Sequence, residues 1–353
     1  MCYFTVMKDY ACNYTDDGTY TPLPESYTAK ASKEGQIVGL TYTTSTYYKE
    51  DVGLIDSAKG TKKTYVSTTA EEIKAREDVT VEKTILVYLP YGYDQTDTTK
   101  KYNIMYFMHG GGCYNDVLVK GAGKDSETKR VLDNMIEKGD IEPTIFVFPE
   151  WLYHFDTDRK DTFCMIGHYL YEFKKDVLPL VESTYNVYSN ITKDMTEEQI
   201  SESLKNTREH RAVGGYSCGS CMTWFIFEKY LDYFKWYMPT SGDYRLNLDT
   251  AWNQTNEVID ETYETEISQL SDVVRKSGWT SKDYFINFNV GGLDFAYPAV
   301  QSQVRAMIQH PDIFQLGTDS TDGNFATCMA PGVWHTDTNS KYFFYNALPK
   351  FFK

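Results

Sequence analysis

The sequence predicts an α/β fold: a mostly parallel sheet covered by helices on both faces. Three observations carry that expectation. From residue 103 onward, short continuous apolar runs alternate with amphipathic stretches of helical length, the pattern of strands buried on both faces and separated by covering helices. Before them lie two stretches in which β-branched residues alternate with polar ones, as strands do when only one face is buried. No internal repeat, linker or low-complexity segment divides the 353 residues, so one domain is expected over residues 35–353.

Residues 1–34 are rich in Tyr, Thr and Asp and show little periodicity; they are expected as an extension wrapped onto the body. The stretches "GQIVGLTYTTSTYY" (35–48) and "VTVEKTILVYLP" (79–90) pair as an opening meander, with a long exposed connection around "AKGTKKTYVSTTAEE" (58–72) between them. The parallel part runs through "NIMYFMHG" (103–110), "TIFVFPEW" (144–151), "RAVGGYS" (211–217), "WYMPTSGD" (236–243) and "YFINFNVGG" (284–292). Helices are expected over 126–139, 167–185, from Ser217 onward and over 266–278. The polar insert 193–210 forms a surface helix, and a last amphipathic helix follows His335. In such sheets ligands bind beyond the carboxyl ends of the strands. Chemistry is therefore sought where the apolar runs stop.

Hydrophobic residues make up 41% of the chain and charged residues 24%, ordinary values for a globular protein with a sizeable core. The 30 Tyr, 19 Phe and 6 Trp serve mainly packing, and also suit a surface that handles sugars or aromatic rings. A net charge of −15 with no basic stripe repels a phosphate backbone, which argues against nucleic acid as a partner. No apolar run approaches the roughly 20 residues that span a bilayer, so no membrane segment is expected. The opening "MCYFTVMKDYACNY" has neither the basic nor the apolar region of a secretory leader; the chain is expected to be leaderless or to begin after its leader. The seven cysteines are an odd set without zinc-module spacing. Cys218 and Cys221 form a C-x-x-C without the flanking Trp and internal Pro of a redox pair. The six histidines contain no H-E-x-x-H and no close cluster, so no catalytic metal is expected.

The segment "RAVGGYSCGSCMTWFIFEKY" (211–230) is the place to expect catalysis. An apolar strand runs into Ser217 and an amphipathic stretch follows at once. Gly215 and Gly219 thus frame a strand–serine–helix junction, where G-x-S-x-G marks a nucleophile lifted above the sheet edge. The helix N-terminus there favours developing negative charge. Acyl transfer also needs two oxyanion donors, the N–H after the nucleophile and one from an earlier strand end. Cys218 and Gly111 are the candidates, the latter within the HGGG run 109–112, which leaves His109 as a brace of that loop. The base follows the serine in chain order, and only His310 and His335 do so. His310, in "VRAMIQHPD", suits a helix end facing the dipole. His335, in the loop before the last helix, is the candidate base. Asp294, at a strand carboxyl end between serine and histidine, is the expected acid, with Asp243 in "PTSGD" as the alternative. Tyr114, Trp151, Phe295 and Trp334 lie near these motifs and are candidates for stacking on an aromatic ring, with core packing as the competing role of each.

In this order, "YLPYGYD", "HGGG", "HRAVGGYSCGS", "PTSGD", "GGLD" and "GVWHT" with a terminal aromatic helix resemble the feruloyl esterases of carbohydrate esterase family 1. More distantly they resemble esterase D and the mycolyltransferases. The resemblance covers about residues 35–353. It implies an α/β-hydrolase fold, a cofactor-free serine mechanism, and a secreted enzyme acting on esters of plant cell-wall xylan. By motif position it implies Ser217 as nucleophile, His335 as base, Asp294 as acid and the amides of Cys218 and Gly111 as oxyanion hole. Two departures stand out: Cys218 where relatives usually carry methionine or leucine, and Val333-Trp334 where related sequences often have a second glycine. Ferulate on arabinoxylan is the expected substrate. Acetylxylan is the alternative, and a non-catalytic carbohydrate-binding protein on the same fold is the second.

Overall fold

Strand β3 (Asn103–Met108) shows why the parallel strands read as unbroken apolar runs. Ile104, Tyr106 and Met108 enter a core on one face of the sheet, while Met105 and Phe107 enter the core on the other. Both faces of the pleat are dry, so the polar positions of a half-exposed strand are missing. The computed structural model describes residues 19–50, 77–152, 162–244 and 256–353. The connection expected over 58–72 lies outside these residues.

Eight strands form one sheet: β1 (Gln36–Ser45), β2 (Thr80–Leu89), β3, β4 (Thr144–Phe148), β5 (Arg211–Tyr216), β6 (Trp236–Thr240), β7 (Phe285–Gly291) and β8 (Phe325–Ala330). Their order is β1-β2-β4-β3-β5-β6-β7-β8. β1 and β2 pair antiparallel from Gln36↔Leu89 to Ser45↔Thr80, as the expected meander. β2 meets β4 antiparallel, and every pair from there on is parallel. With helices on both faces, this is the mostly parallel sheet of an α/β-hydrolase fold.

One face is covered by helices α1 (Glu127–Lys138) and α8 (Ser340–Ala347), which supply Val131, Leu132, Phe343 and Phe344 to the core. Ser126 caps α1 by accepting the Lys129 N–H at 3.1 Å, and Gly139 at φ 79° ends it. The other face carries α2 (Thr162–Glu172), a π-helical turn at Phe173–Val177, α3 (Leu178–Thr184), α5 (Cys218–Tyr230), α6 (Asn256–Ser277) and α7 (Tyr297–Met307). The polar insert forms α4 (Glu197–Asn206), opened by a capping box between Thr196 and Gln199.

Three details differ from the sequence reading. β8, "FATCMA", was not anticipated: Thr and Cys interrupt its six residues. α6 starts ten residues before the expected 266, in an acidic stretch whose charges obscure its apolar face. His310 lies beyond α7, which ends at Met307, and only its backbone N–H returns to the Met307 carbonyl.

The described part of the N-terminal extension, residues 19–34, lies against α1 and α8. Asn346 exchanges two hydrogen bonds with the Thr21 backbone, and the Tyr27 hydroxyl donates to Asp140 at 2.7 Å.

The entry into β5 rests on a buried ion pair. Arg211 donates through Nε and Nη2 to Glu182 at 2.6 and 2.7 Å, and through Nη1 to the Leu204 and Tyr233 carbonyls, with both charged groups sealed from water. A bidentate pair with its remaining protons satisfied tolerates burial; a widowed guanidinium does not. Glu182→Ala is expected to lower unfolding free energy by about 3–5 kcal/mol in denaturant titration. A loss below about 1 kcal/mol would mean that water reaches Arg211 when its partner is gone.

Candidate active site

The β5–α5 junction places Ser217 by close approach of backbone. A side chain at Gly215 would put Cβ 2.3 Å from the Gly219 carbonyl oxygen, and one at Gly219 would meet the Met108 oxygen at 2.4 Å. With both residues bare, α5 can turn directly back over the ends of β3 and β5. The strain falls on Ser217 itself, at φ 56° and ψ −116°, a region L-residues rarely occupy. Its N–H is anchored on the Thr240 carbonyl of β6 at 2.9 Å. Its hydroxyl does not cap the helix and is left for another partner.

That partner is His335. Its Nε2 lies 3.0 Å from Ser217 Oγ, and its Nδ1 lies 2.7 Å from Asp294 Oδ1. Asp294 is fully buried in the turn after β7, where Oδ1 also accepts the Ala296 N–H at 2.8 Å and Oδ2 accepts the Tyr216 hydroxyl at 3.2 Å. Burial, with the Asp294 charge beside it, pushes the Tyr216 phenol well above its ordinary value, so it stays a donor. The loops that carry Asp294 and His335 are stitched together by hydrogen bonds from the Gly292 N–H to the Ala330 oxygen and from the Leu293 N–H to the Val333 oxygen. Phe295 lies against the imidazole, ring centres 4.1 Å apart.

The HGGG loop runs beside the elbow. His109 is fully buried between two acceptors, the Gly110 oxygen at 2.8 Å from Nδ1 and Glu150 Oε1 at 3.0 Å from Nε2. Burial opposes ionisation of Glu150. The His109 contact and the N–H groups of Leu152 and Asn115 outweigh it and hold the carboxyl below its usual range. Cys218 follows Ser217 at the first position of α5. Its thiol is pushed up to about 11 by burial, so it stays protonated. Among the described residues no group of three or more His, Cys, Asp or Glu side chains has the arrangement of a metal site.

Known proteins are similar to this chain over most of its length. Endo-1,4-beta-xylanase Y of Acetivibrio thermocellus is 31% identical over 333 residues, which is 94% of this chain and 24% of that protein. The chain therefore spans about a quarter of that xylanase. Among solved structures, a sinapinate complex of a mutant feruloyl esterase module from Clostridium thermocellum matches with a TM-score of 0.68 and 29% identity, over 94% of this chain and 93% of that one. Over nearly its whole length the chain is similar to feruloyl esterases of carbohydrate esterase family 1. A ferulic acid esterase of the same family from Anaeromyces mucronatus shares the fold at a TM-score of 0.54 and 16% identity, over 94% of this chain and 96% of that one. No protein-family model matches the sequence.

The structure brings Ser217, His335 and Asp294 into one hydrogen-bonded series. Asp243, the alternative acid, is instead buried on α6, accepting the Tyr263 hydroxyl at 2.7 Å. Of the four aromatic candidates, Tyr114 and Trp334 are exposed, at 46% and 57%, and Phe295 lies on the His335 ring. Trp151 is corrected: it is fully buried, stacked on His109, and its indole N–H donates to the His109 oxygen at 2.9 Å. No ligand ring can reach it. Three residues of the candidate site went unseen in the sequence: Tyr216, Glu150 and Asp337, the last accepting the Gly110 N–H at 2.5 Å. Asp337 stands two places after His335, and that spacing was the one available sign.

Proposed function

We propose that this chain is a serine carboxylic-ester hydrolase that removes ferulate from arabinoxylan, with Ser217, His335 and Asp294 as its catalytic groups. The observation that carries the reading is the hydrogen-bonded series from Asp294 through His335 to Ser217, at a strained elbow beside the HGGG loop. Ser217 Oγ attacks the ester carbonyl carbon while His335 Nε2 takes its proton. The oxyanion is held by the N–H groups of Cys218 and Gly111. The C–O bond to the sugar breaks, and the leaving alkoxide takes the proton from His335. Water, deprotonated by the same imidazole, then attacks the acyl-enzyme and releases ferulate and free Ser217. Asp294 keeps the Nδ1 proton in place and stabilises the imidazolium.

The hydroxycinnamoyl preference draws on sinapinate, bound by the Clostridium thermocellum module, and on the apolar rim around the proposed site. Leu293 and Trp334, next to the acid and the base, are exposed at 61% and 57%, the setting in which a planar ring gains contact area. A polymeric wall substrate goes with secretion of the enzyme. Initial rates on methyl ferulate and on a short acetate ester test the reading. A higher kcat/KM on ferulate is expected; a preference for acetate would move the assignment to acetylxylan, and turnover of neither would leave a carbohydrate-binding protein.

A further inference from the structure

The HGGG loop is held by more than its own glycines. The peptide between His109 and Gly110 is fixed at both ends: the His109 oxygen accepts the Trp151 indole N–H, and the Gly110 N–H donates to Asp337 Oδ1 at 2.5 Å. The carbonyl of the next peptide, Gly110–Gly111, accepts from His109 Nδ1. In a trans peptide the N–H points away from the C=O, and no peptide among the described residues is cis. With the Gly110 oxygen turned to His109, the Gly111 N–H must face the other way. On that side lies the Cys218 sulfur, a weak acceptor that a developing oxyanion displaces.

Asp337 reaches this loop from the segment that carries the base. Three consecutive residues tie that segment down: His335 to Ser217 Oγ, the Thr336 N–H to the Tyr216 hydroxyl at 2.9 Å, and Asp337 to Gly110. Asp337 is 7% exposed, and a Cβ on Gly110 would lie 3.0 and 3.1 Å from its two oxygens and 3.2 Å from Ser217 Cβ. Its negative charge helps raise both the Tyr216 phenol and the Cys218 thiol, so its field reaches either side of Ser217. A charge there opposes an oxyanion. What it supplies in return is a charge-assisted hydrogen bond that orients the loop.

We propose that Asp337 is a positioning residue for ester hydrolysis: its hydrogen bond to the Gly110 N–H sets the loop so that the Gly111 amide faces the oxyanion. This rests on the esterase reading above. Asp337→Ala frees the Gly110 N–H and lets the loop turn; Asp337→Asn keeps an acceptor oxygen and removes the adverse charge. The alanine variant is expected to lose about 10- to 100-fold in kcat on methyl ferulate, with KM within about twofold, because misplacing a group by an ångström costs on that order. Its affinity for a trifluoromethyl ketone, whose hemiketal oxygen mimics the oxyanion, falls in parallel. The asparagine variant is expected to keep kcat within about threefold of the unsubstituted protein. Asp337→Ala with unchanged kcat overturns the inference. So does Asp337→Asn losing 30-fold or more, a result that stands even if the alanine variant does not fold. If the unsubstituted protein shows no Ser217-dependent turnover, the esterase reading falls and this inference with it.

Discussion

Ser217→Ala is expected to lower kcat on methyl ferulate by about 10⁶-fold and to leave KM nearly unchanged. The side chain removed is the proposed nucleophile; the surrounding groups stay. The elbow is set by the absence of Cβ at Gly215 and Gly219 and by the Ser217 N–H on Thr240, none of which needs the hydroxyl. Alanine therefore keeps the backbone, and the oxyanion amides alone retain about 10³- to 10⁴-fold over water. Steady-state rates together with mass spectrometry after phosphonate treatment check both parts. A residual rate within 100-fold of the unsubstituted protein would mean that another group performs the attack.

Asp294→Asn is expected to cost about 10⁴-fold in kcat. The reason lies in the donors around the carboxylate. Oδ1 accepts from His335 Nδ1 and from the Ala296 N–H, and Oδ2 accepts from Tyr216. The two N–H groups can only donate, so an amide NH₂ at the Oδ1 position points hydrogen at hydrogen. The least costly escape is for His335 to move its proton to Nε2, and the nitrogen facing Ser217 then can no longer accept. Asp243→Asn serves as the control, since Asp243 accepts the α6 hydroxyl of Tyr263 while His335 Nδ1 takes Asp294; it is expected to keep kcat within about threefold. Equal losses in the two variants would remove the distinction between them.

What the sequence disclosed depended on the distance over which each role acts. Ser217 was legible because its setting is local: a strand, two glycines and a helix within twenty residues. His335 and Asp294 followed from chain order and from the rule that ligands gather at strand carboxyl ends. Asp337 and Tyr216 could not be found that way. Their partners lie 227 and 78 residues away, and nothing in "HTD" or "GYS" announces a hydrogen bond across such a gap. Trp151 misled for a related reason. It ends an apolar run beside the site, which suits a stacking platform, yet the His109 ring had already covered it. In the sheet, β8 escaped because position, as the edge strand beside β7, makes it a strand more than composition does.

The spacing of the site along the chain has a temporal meaning. The proposed nucleophile precedes its histidine by 118 residues and the acid precedes it by 41. At about 5–20 residues per second on the ribosome, Ser217 is made roughly 6–24 s before His335 follows. For that interval the growing polypeptide carries the serine and its HGGG loop but no imidazole to take the proton and no Asp337 to set the loop. On the proposed function, competence therefore arrives in one step, when a single short segment supplies the base and the brace together.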